Sequence, residues 1–346
     1  MRVVVNSRVT AFSMGGQQRV TAELLKRLGD VDSVTPATPL GGMKGHLWEQ
    51  AALPWLTRGK LLWSPSATGP ILKRNQVVTL HDVAFLDAPH FFAANFARAY
   101  RLLMPPLMKV AKKIVTVSDF SRDRIVATLG VDRAKIEVIG NGVSAQFRPY
   151  APAAIAATRA ALGLGPRYFL LQATSDRRKN IHRALEAWVA ALPNLPADIE
   201  LAVAGNLARA HVFGDVGAVG AVPRVKLLGY VAEEHMGPLH AGAEAFLFPS
   251  LYEGFGLPII EAMACGVPVL TSAATATLEV AGGAALLVDP ESVADIARGV
   301  ETMARDAQLR ARLAALGTER AKAFTWDDAA RRYRELFRAL GGEIRG

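Results

Sequence analysis

The chain has 346 residues, of which 51% are apolar and 21% are charged, a composition that excludes a disordered tail and suits a soluble globular protein of two ordinary domains. Its net charge of +9 suits an anionic partner without choosing among nucleic acid, an anionic membrane and a phosphorylated substrate. The single cysteine, Cys265, excludes an intramolecular disulfide and a thiolate metal site, and it is consistent with a reducing compartment.

The N-terminal sequence "MRVVVNSR" has an apolar run too short for the core of a signal peptide. The longest stretch without a charged residue, 262–278, is interrupted by Gly266 and Pro268 and is a poor membrane span. We therefore expect a cytoplasmic protein, either free or at the inner face of the cytoplasmic membrane.

Short β-branched runs recur along the chain and predict strands. In chain order they are "RVVVN", "KLLWS", "QVVTLHD", "KIVTVSD", "KIEVIGNG", "YFLLQAT", "IELAVAG", "RVKLLGYV", "AFLFPS", "VPVLTS" and "AALLVDP". Helical patterns such as "QRVTAELLKRLG" and "NIHRALEAWVAAL" separate many of them. This alternation predicts an α/β protein with two Rossmann-like, doubly wound parallel sheets.

Residues 148–167 combine Pro, Ala and Gly and indicate the domain boundary. The prediction is an N-terminal domain of residues 1–160, joined by a returning C-terminal helix at 327–346. A second domain then covers residues 161–326.

Distinctive polar residues and glycines follow the predicted strands, where open α/β sheets bind their ligands. They are Gly15-Gly16, His81-Asp82, Ser118-Asp119, Asn141-Gly142, Arg177-Arg178-Lys179 and Glu253. We expect two half-sites that face a central cleft between the domains.

The segment "SLYEGFGLPIIEAMACGVPVL" (250–270) carries two glutamates around a glycine-rich turn. Pro258 suits the first position of a short helix and Gly266 suits its end, so Glu261 is expected in the first helical turn and Glu253 in the loop before it. The loop amides at 254–256 would then lie near a helix N-terminus that favours anions. A plain strand-to-helix turn accounts for Glu261 and leaves Glu253 unexplained.

This segment, with "TLEVAGGAALLVDP" after it, resembles the signature of the retaining, nucleotide-sugar-dependent glycosyltransferases of the GT-B fold (group 1, family 4), in particular bacterial mannosyltransferases. The resemblance covers nearly the whole chain. Supporting segments are "GGQQRVTAELLKRL", "HLWEQAALPWL", "VVTLHDVAFLDAP", "VTVSDFSRDRI", "EVIGNGV", "RRKNIHRALEAW" and "FTWDDAARRY".

The resemblance implies roles for the residues of this segment. Glu261 would accept hydrogen bonds from the ribose hydroxyls of the nucleotide, while Glu253 would lie near the transferred sugar as a catalytic group. The amides of a four-residue turn would approach the sugar and phosphate of the donor. That turn consists of Gly254, Phe255, Gly256 and Leu257.

A leaving nucleoside diphosphate accumulates negative charge, so a catalyst without a metal needs fixed cations there. Arg178 and Lys179 are the candidates, with Lys179 assigned to catalysis as well as donor binding, and Asn180 is expected to cap the helix that follows. At Ala173 and Thr174 the chain departs from the Gly and Arg of many family members.

In the first domain, Gly15 and Gly16 would let the backbone approach the donor phosphates, with an ordinary tight turn as the alternative. His81 matches the family's histidine that contacts the donor sugar and lies near the acceptor, and the resemblance assigns it to the catalytic residues. We do not expect His81 to deprotonate the acceptor, because in a retaining reaction the leaving phosphate is the better placed proton acceptor.

We expect no cofactor and no essential metal, the nucleotide sugar being a substrate. Asp30-Val31-Asp32 matches a metal-binding Asp-x-Asp pattern, but it follows the first predicted helix in a polar connection and is expected to be a surface turn. The expected donor is GDP-mannose, with UDP-sugars second.

Residues 91–113 mix aromatic and aliphatic side chains with Arg and Lys. Such a segment either lies on an anionic membrane as a peripheral contact, which suits a lipid-linked acceptor, or packs on the sheet with its cations in water. The predicted function is transfer of a hexose to a glycan or lipid-linked saccharide in bacterial surface polysaccharide synthesis.

Alternatives stay open at this point. A GT-B sugar-nucleotide epimerase or a glycogen-type synthase shares the fold. The charge alone suggests a non-enzymatic nucleic-acid-binding protein, which no reader motif supports, so no nucleic acid partner is expected. An NAD-dependent dehydrogenase lacks support because no G-x-G-x-x-G follows the first strand.

Overall fold

The computed structural model describes residues 1–11, 15–172, 174–205 and 222–344. The chain folds as two units, Met1–Gly142 with Thr325–Gly346 and Val143–Phe324. The boundary therefore lies earlier than the 160/161 junction expected from composition. The reason is that the Ala-rich stretch Pro152–Leu162 is a helix of the second unit, in which Thr158 Oγ1 lies 3.4 Å from His235 Nδ1.

The first unit contains a six-stranded sheet in which every pairing is parallel. Its strands are β1 (Val3–Asn6), β2 (Asp32–Val34), β3 (Leu61–Ser64), β4 (Gln76–Thr79), β5 (Lys113–Thr116) and β6 (Ile136–Val138), in the order β2-β1-β3-β4-β5-β6. The apolar runs are buried as expected for a sheet covered on both faces. The edge strand β2 has no apolar run and was not predicted, so Asp32 begins a strand instead of lying in a connection.

In the described residues of Met1–Gly142, six α-helices accompany this sheet. They are α1 (Gly16–Leu28), α2 (Gly42–Ala51), α3 (Leu53–Leu56), α4 (Ala84–Asp87), α5 (Ala94–Val110) and α6 (Asp119–Leu129). Helix α6 illustrates how capping residues determine where a helix begins and ends. The Ser118 hydroxyl accepts from the Ser121 amide at its start, and Gly130 adopts a left-handed conformation at its end.

The second unit contains another fully parallel six-stranded sheet. Its strands are β7 (Arg167–Gln172), β8 (Ile199–Ala204), β9 (Val225–Gly229), β10 (Ala245–Phe248), β11 (Val269–Ser272) and β12 (Ala285–Val288), in the order β12-β11-β10-β7-β8-β9. This is the doubly wound order of a Rossmann sheet, and its connections reverse direction between β7 and β10. The expectation of two doubly wound parallel sheets is confirmed.

The described part of the second unit has seven α-helices, three of which contribute to a core that includes the fully buried Trp188. The seven helices are α7 (Pro152–Leu162), α8 (Ile181–Ala191), α9 (Glu233–Ala241), α10 (Leu257–Ala264), α11 (Thr275–Ala281), α12 (Val293–Arg305) and α13 (Ala307–Ala321). Helix α10 begins one residue before the predicted Pro258, so Glu261 lies in its second turn. The prediction of a first-turn position was wrong because Leu257, not Pro258, is the first helical residue.

The last helix, α14 (Trp326–Ala339), belongs to the first unit. Tyr333 reaches into the core of that unit, where its hydroxyl lies 2.9 Å from Thr79 Oγ1. The Trp63 indole donates to Thr79 Oγ1 at 3.0 Å. Helix α14 thus completes the first unit although it is distant in sequence.

Lysines at the amino-terminal edge of the first sheet bind carbonyls at chain and helix ends. Lys112 Nζ donates to Leu340 O at 3.0 Å, Lys135 Nζ to Lys109 O at 2.6 Å and Lys73 Nζ to Thr57 O at 2.8 Å. Helix C-termini leave such carbonyls without a helical partner. Part of the positive charge of the chain therefore serves the fold itself.

Within the described ranges, none of the helices combines the length and the apolar character that crossing a membrane requires.

Candidate functional site

The strongest candidate site lies where the connections of the second sheet reverse, at the carboxyl ends of β7 and β10. These two strands are neighbours, with Leu170 opposite Phe246. After β7 the chain forms a short turn of 3-10 helix, Arg177–Lys179, and after β10 it forms the loop that leads to α10. Because the strands are parallel, both exits lie at one edge, where doubly wound sheets bind ligands.

Lys179 and Glu253 meet at this edge. Lys179 Nζ lies 2.6 Å from Glu253 Oε1, and the two side chains are 22% and 12% exposed. The same ammonium stands 4.9 Å from the centre of the Phe248 ring. A cation and an anion that are partly removed from water thus stand side by side, 74 residues apart in sequence.

The loop that carries Glu253 is fastened to its neighbours by hydrogen bonds. Asn180 Nδ2 donates to Pro249 O at 2.9 Å, Ser272 Oγ to Ser250 O at 2.6 Å and Leu251 N to Arg178 O at 2.8 Å. The loop is therefore anchored both to the turn after β7 and to the end of β11.

Thr275 completes this anchoring from the start of α11. Its hydroxyl accepts from the Glu253 amide at 3.3 Å, and the next residue, Ala276, donates its amide to Glu253 O at 3.4 Å. Thr275 has φ of 57°, which a β-branched residue rarely adopts. A strained backbone is therefore held against the backbone of Glu253.

Asn180 does not cap α8 as predicted. It stands at the N-cap position with φ of 57°, but its side chain makes no capping hydrogen bond. The amide nitrogen instead donates to Pro249 O and, at 2.7 Å, to Pro290 O. The left-handed backbone directs the side chain toward the strand ends. Asn180 therefore stabilises the loops of the site instead of capping the helix.

Arg178 is held by Asp176. Its Nη2 lies 2.6 Å from Asp176 Oδ2, and its Nε contacts both carboxylate oxygens. Burial by itself would raise the pKa of Asp176, but the hydrogen bonds and charge of Arg178 outweigh it and hold that pKa below its usual range. Asp176 therefore fixes the orientation of this guanidinium.

The glycine-rich turn joins the loop to α10. Gly256 has φ of 104°, a conformation that suits glycine, and Phe255 is buried with its ring edge-on to Phe324. Gly254 and Leu257 flank these residues, and Glu261 is almost fully buried in α10. All of them belong to the second unit with Lys179 and Glu253.

The remaining predicted residues belong to the first unit. Gly15 and Gly16 are exposed at the start of α1. His81 is buried after β4, and its Nε2 lies 3.1 Å from Pro65 O. Burial lowers the pKa of His81, and because a carbonyl only accepts, the neutral ring carries its proton on Nε2.

Two family models match the chain, "Glycosyl transferases group 1" over residues 157–320 and "Glycosyltransferase Family 4" over residues 60–147. The O-antigen chain mannosyltransferase B of Escherichia coli is 32% identical over 259 residues, which cover 73% of this chain and 67% of that protein. The chain belongs to the group 1 glycosyltransferases. As a member of this family it is a transferase enzyme.

A second relative of this glycosyltransferase is the O-antigen chain mannosyltransferase RfbU of Salmonella typhimurium. It is 31% identical over 253 residues, which cover 67% of this chain and 61% of that protein. The chain therefore spans about two thirds of the length of these curated relatives.

Solved structures agree with the fold of a glycosyltransferase. HepE of Anabaena, in complex with UDP and glucose, matches with a TM-score of 0.77 at 19% identity, over 98% of this chain and 100% of that chain. WaaG, a glycosyltransferase involved in lipopolysaccharide biosynthesis, matches with a TM-score of 0.76 at 16% identity, over 97% and 99% of the two chains. These likenesses confirm the GT-B fold class.

Several residues of the candidate site were missed by sequence reasoning. Asp176 and Thr275 carry no recognisable motif, and the left-handed conformation of Asn180 cannot be read from its type. Asp176 directly precedes the predicted cations in the sequence, and this proximity was the one feature that could have indicated an ion pair with them. Thr174 is described, whereas Ala173 lies outside the described residues.

In the candidate Asp-x-Asp pattern, Asp32 lies close to two cations. Asp32 Oδ2 lies 3.5 Å from Lys60 Nζ and 3.6 Å from Arg2 Nη1. Over the ranges that the structure describes, no group of three or more His, Cys, Asp or Glu side chains is arranged to hold a metal ion. The expectation that the enzyme needs neither metal nor cofactor stays a prediction.

Proposed function

We propose that this glycosyltransferase transfers mannose from GDP-mannose to a saccharide or lipid-linked saccharide, with retention of anomeric configuration, in the synthesis of a bacterial surface polysaccharide. The printed names of two relatives, both O-antigen chain mannosyltransferases, support the sugar and the product class. The observation that carries the reaction is the pair of Lys179 and Glu253 at 2.6 Å, in a sheet of Rossmann order.

The reaction breaks the bond between the sugar C1 and the diphosphate oxygen and forms a bond from C1 to an acceptor hydroxyl oxygen. The electron pair of the broken bond leaves with GDP, whose phosphate gains negative charge. Lys179 stabilises that charge as a fixed cation, a contribution of the kind that preorganised donors make to charged transition states. The acceptor proton passes to the leaving phosphate, so the reaction needs no separate base.

Glu253 has a complementary part in this proposal. The breaking C1 bond leaves positive charge on the sugar ring, which a nearby carboxylate stabilises, and its second oxygen accepts from sugar hydroxyls. The diphosphate competes with Glu253 for Lys179 when the donor binds. Glu261, buried in α10, takes the ribose hydroxyls, which a carboxylate does well because each oxygen accepts a hydroxyl proton.

A thermal-shift panel tests the donor. The purified protein is heated with GDP, UDP, ADP and their sugars, with and without magnesium. We expect magnesium-independent stabilisation that is largest for GDP-mannose, lost in Glu261→Ala and kept in Glu291→Ala, an exposed glutamate of the same unit. Stabilisation by a uridine or adenosine nucleotide alone would overturn the choice of donor.

Turnover tests the roles of the ion pair. Release of GDP from GDP-mannose is measured with a panel of mannosyl, glucosyl and galactosyl acceptors. Lys179→Ala is expected to lower kcat by about 10²–10³-fold with a smaller change in donor affinity. Wild-type turnover in Lys179→Ala or Glu253→Ala would refute these assignments, and a β-mannoside formed from the α-linked donor would refute retention.

A further inference from the structure

Large apolar side chains are exposed on one part of the first unit. They lie on helices α2 and α3 and on the turn before β4, and each is between 40% and 83% exposed. The set is Met43, Leu47, Trp55, Leu56 and Leu72, here called the apolar surface. Single exposed apolar residues are ordinary, whereas a group on adjoining elements indicates a surface that something else covers.

Hydrogen bonds hold the elements of the apolar surface side by side. Gln50 of α2 donates from Nε2 to Gly69 O and accepts at Oε1 from the Ile71 amide, both at 2.9 Å. The bond from Lys73 Nζ to Thr57 O ties the end of the same turn to the end of α3. The turn that exposes Leu72 is therefore fastened to both helices.

Helix α5 flanks the apolar surface. The His46 ring of α2 packs edge-on to Tyr100 of α5, with 5.9 Å between ring centres. Helix α5 exposes Phe96 and Leu102 as well as Arg98 and Arg101. The segment for which the sequence predicted either membrane contact or packing on the sheet thus adjoins the apolar surface.

Within the sequence segment that carries these elements, the exposed charge has one sign. Residues 33–118 contain ten Lys or Arg but three acids, Glu49, Asp82 and Asp87. None of the three is exposed. Glu49 is buried against Arg8 and Asp87 is paired with Arg124.

The exposed cations of this region therefore have no exposed acid of the same segment to offset them. Those nearest to the apolar surface in sequence are Lys44, Arg58 and Arg74. Exposed cations beside exposed Trp, Leu and Met side chains are the combination that an anionic bilayer attracts and accommodates. A single-stranded nucleic acid is instead bound on aromatic side chains interleaved with cations, and Trp55 is the one aromatic member of the apolar surface.

We propose that the apolar surface docks on an anionic lipid bilayer, with Trp55 and Leu72 inserted at the headgroup level and Lys44, Arg58 and Arg74 against lipid phosphates. The proposal rests on the proposed function in one respect, because a lipid-linked acceptor gives the enzyme its reason to work at a bilayer. The chemistry of the surface is otherwise independent of the reaction.

Vesicle binding tests the proposal with the full chain. The protein is sedimented with phosphatidylcholine vesicles that contain about one third phosphatidylglycerol, and with pure phosphatidylcholine vesicles. We expect binding to the anionic vesicles alone, released by about 0.5 M NaCl because salt screens the cations. No binding to the anionic vesicles would overturn the proposal.

Tryptophan fluorescence gives a second readout. Trp63, Trp188 and Trp326 are buried and Trp48 is half-buried, so Trp55 is the exposed tryptophan. Anionic vesicles are expected to shift the emission to shorter wavelength in the wild type and not in Trp55→Ala. An unchanged wild-type spectrum on bound vesicles would place the contact elsewhere and overturn the proposal.

Variants locate the surface. Trp55→Ala with Leu72→Ala is expected to weaken vesicle binding about tenfold or more, since each loses an apolar side chain that enters the bilayer. Arg58→Ala with Arg74→Ala should weaken binding to anionic vesicles and reduce its salt dependence. The matched control is Tyr230→Ala in the second unit, where an 82% exposed aromatic is removed with no expected effect.

Two results separate this proposal from its competitors and from the proposed function. Unchanged binding in the Trp55→Ala, Leu72→Ala variant, or a dimer that this variant dissociates, would overturn membrane docking in favour of another site or a second copy. Vesicle binding that depends on the apolar surface while GDP-mannose is neither bound nor used would support docking and refute the mannosyl transfer.

Discussion

Thr275 occupies a left-handed backbone conformation in which the hydroxyl accepts from the Glu253 amide. Such a conformation costs a β-branched residue about 1–3 kcal/mol and persists where the surroundings fix it. Here the surroundings include two hydrogen bonds to the backbone of Glu253. We infer that Thr275 is a positioning residue, which acts through Glu253 without touching the substrate.

Two substitutions of Thr275 distinguish the effect of its branched side-chain shape on turnover from the effect of its hydroxyl group. Thr275→Val keeps the branched shape and leaves the Glu253 amide without its acceptor, so kcat is expected to fall about tenfold. Thr275→Ser keeps the hydroxyl and should retain nearly full turnover. Hydrogen exchange of the peptide around residue 253 provides a check that needs no substrate, and equal exchange in the two variants would contradict the role.

His81 makes the stability of the first unit depend on pH. Burial lowers its pKa below the ordinary 6.5, so the unfolded chain binds the proton more readily than the folded chain. The contribution of the neutral ring to stability is therefore present above pH 6.5 and is lost as the pH falls below it.

The melting temperature of the wild type should accordingly decrease between about pH 6.5 and pH 5, before most carboxylates titrate. In His81→Gln, whose amide can also donate to Pro65 O, this decrease should be smaller. Parallel pH profiles for the two proteins would show that His81 is not the group responsible.

At the scale of elements, the position of the start of helix α14 depends on a close backbone contact with Gly142, which follows β6. A Cβ built on Gly142 would lie 2.1 Å from Trp326 N and 2.6 Å from Thr325 C. Both atoms belong to the backbone, so a change of side-chain rotamer cannot relieve the clash. The glycine of the "IGNGV" segment is therefore required where the chain leaves the first unit.

Gly142→Ala is expected to destabilise the protein by about 1–3 kcal/mol, because the start of α14 must move. Gly16→Ala is the matched control, since a Cβ there would meet nothing within 4 Å. Denaturant unfolding of the two variants gives the comparison, and a Gly142→Ala protein as stable as Gly16→Ala would contradict the contact.

Sequence patterns predicted the elements that have strong periodicity and missed those that depend on distant partners. The buried strands are recognisable from their apolar runs. Strand β2, with Asp32, Ser33 and Val34, has no such run and forms because its backbone pairs with β1. The pairing of Lys179 with Glu253 follows from strand order, which local sequence does not encode. The bracing by Asn180 depends on carbonyls supplied by Pro249 and Pro290.

At the scale of the whole molecule, the two units differ in continuity. The second unit is one uninterrupted stretch, Val143–Phe324, whereas the first needs α14 from the end of the chain. Composition suggested a boundary at 160/161 because small residues and prolines are common in linkers. Here those residues build α7, whose Ile155 lies close to Gly242 at the end of α9.

A fragment of residues 143–324 should fold by itself, since its main hydrophobic core lies within these residues. We expect cooperative thermal unfolding by circular dichroism. A fragment of residues 161–324, which lacks α7, should unfold at lower temperature because it exposes the face of α9 that α7 covers. Equal stability of the two fragments would contradict the boundary at 142/143.

The hydrogen bonds that anchor the loop around Glu253 are made to protein groups, so the anchored form requires no contact with a donor. Ordering such a loop during binding would cost about 1–2 kcal/mol of conformational entropy per residue. That loss has already occurred on folding. Calorimetry should therefore find that variants of Thr275 or Asn180 bind the donor with a less favourable entropy, while the heat released by the donor's own contacts changes little.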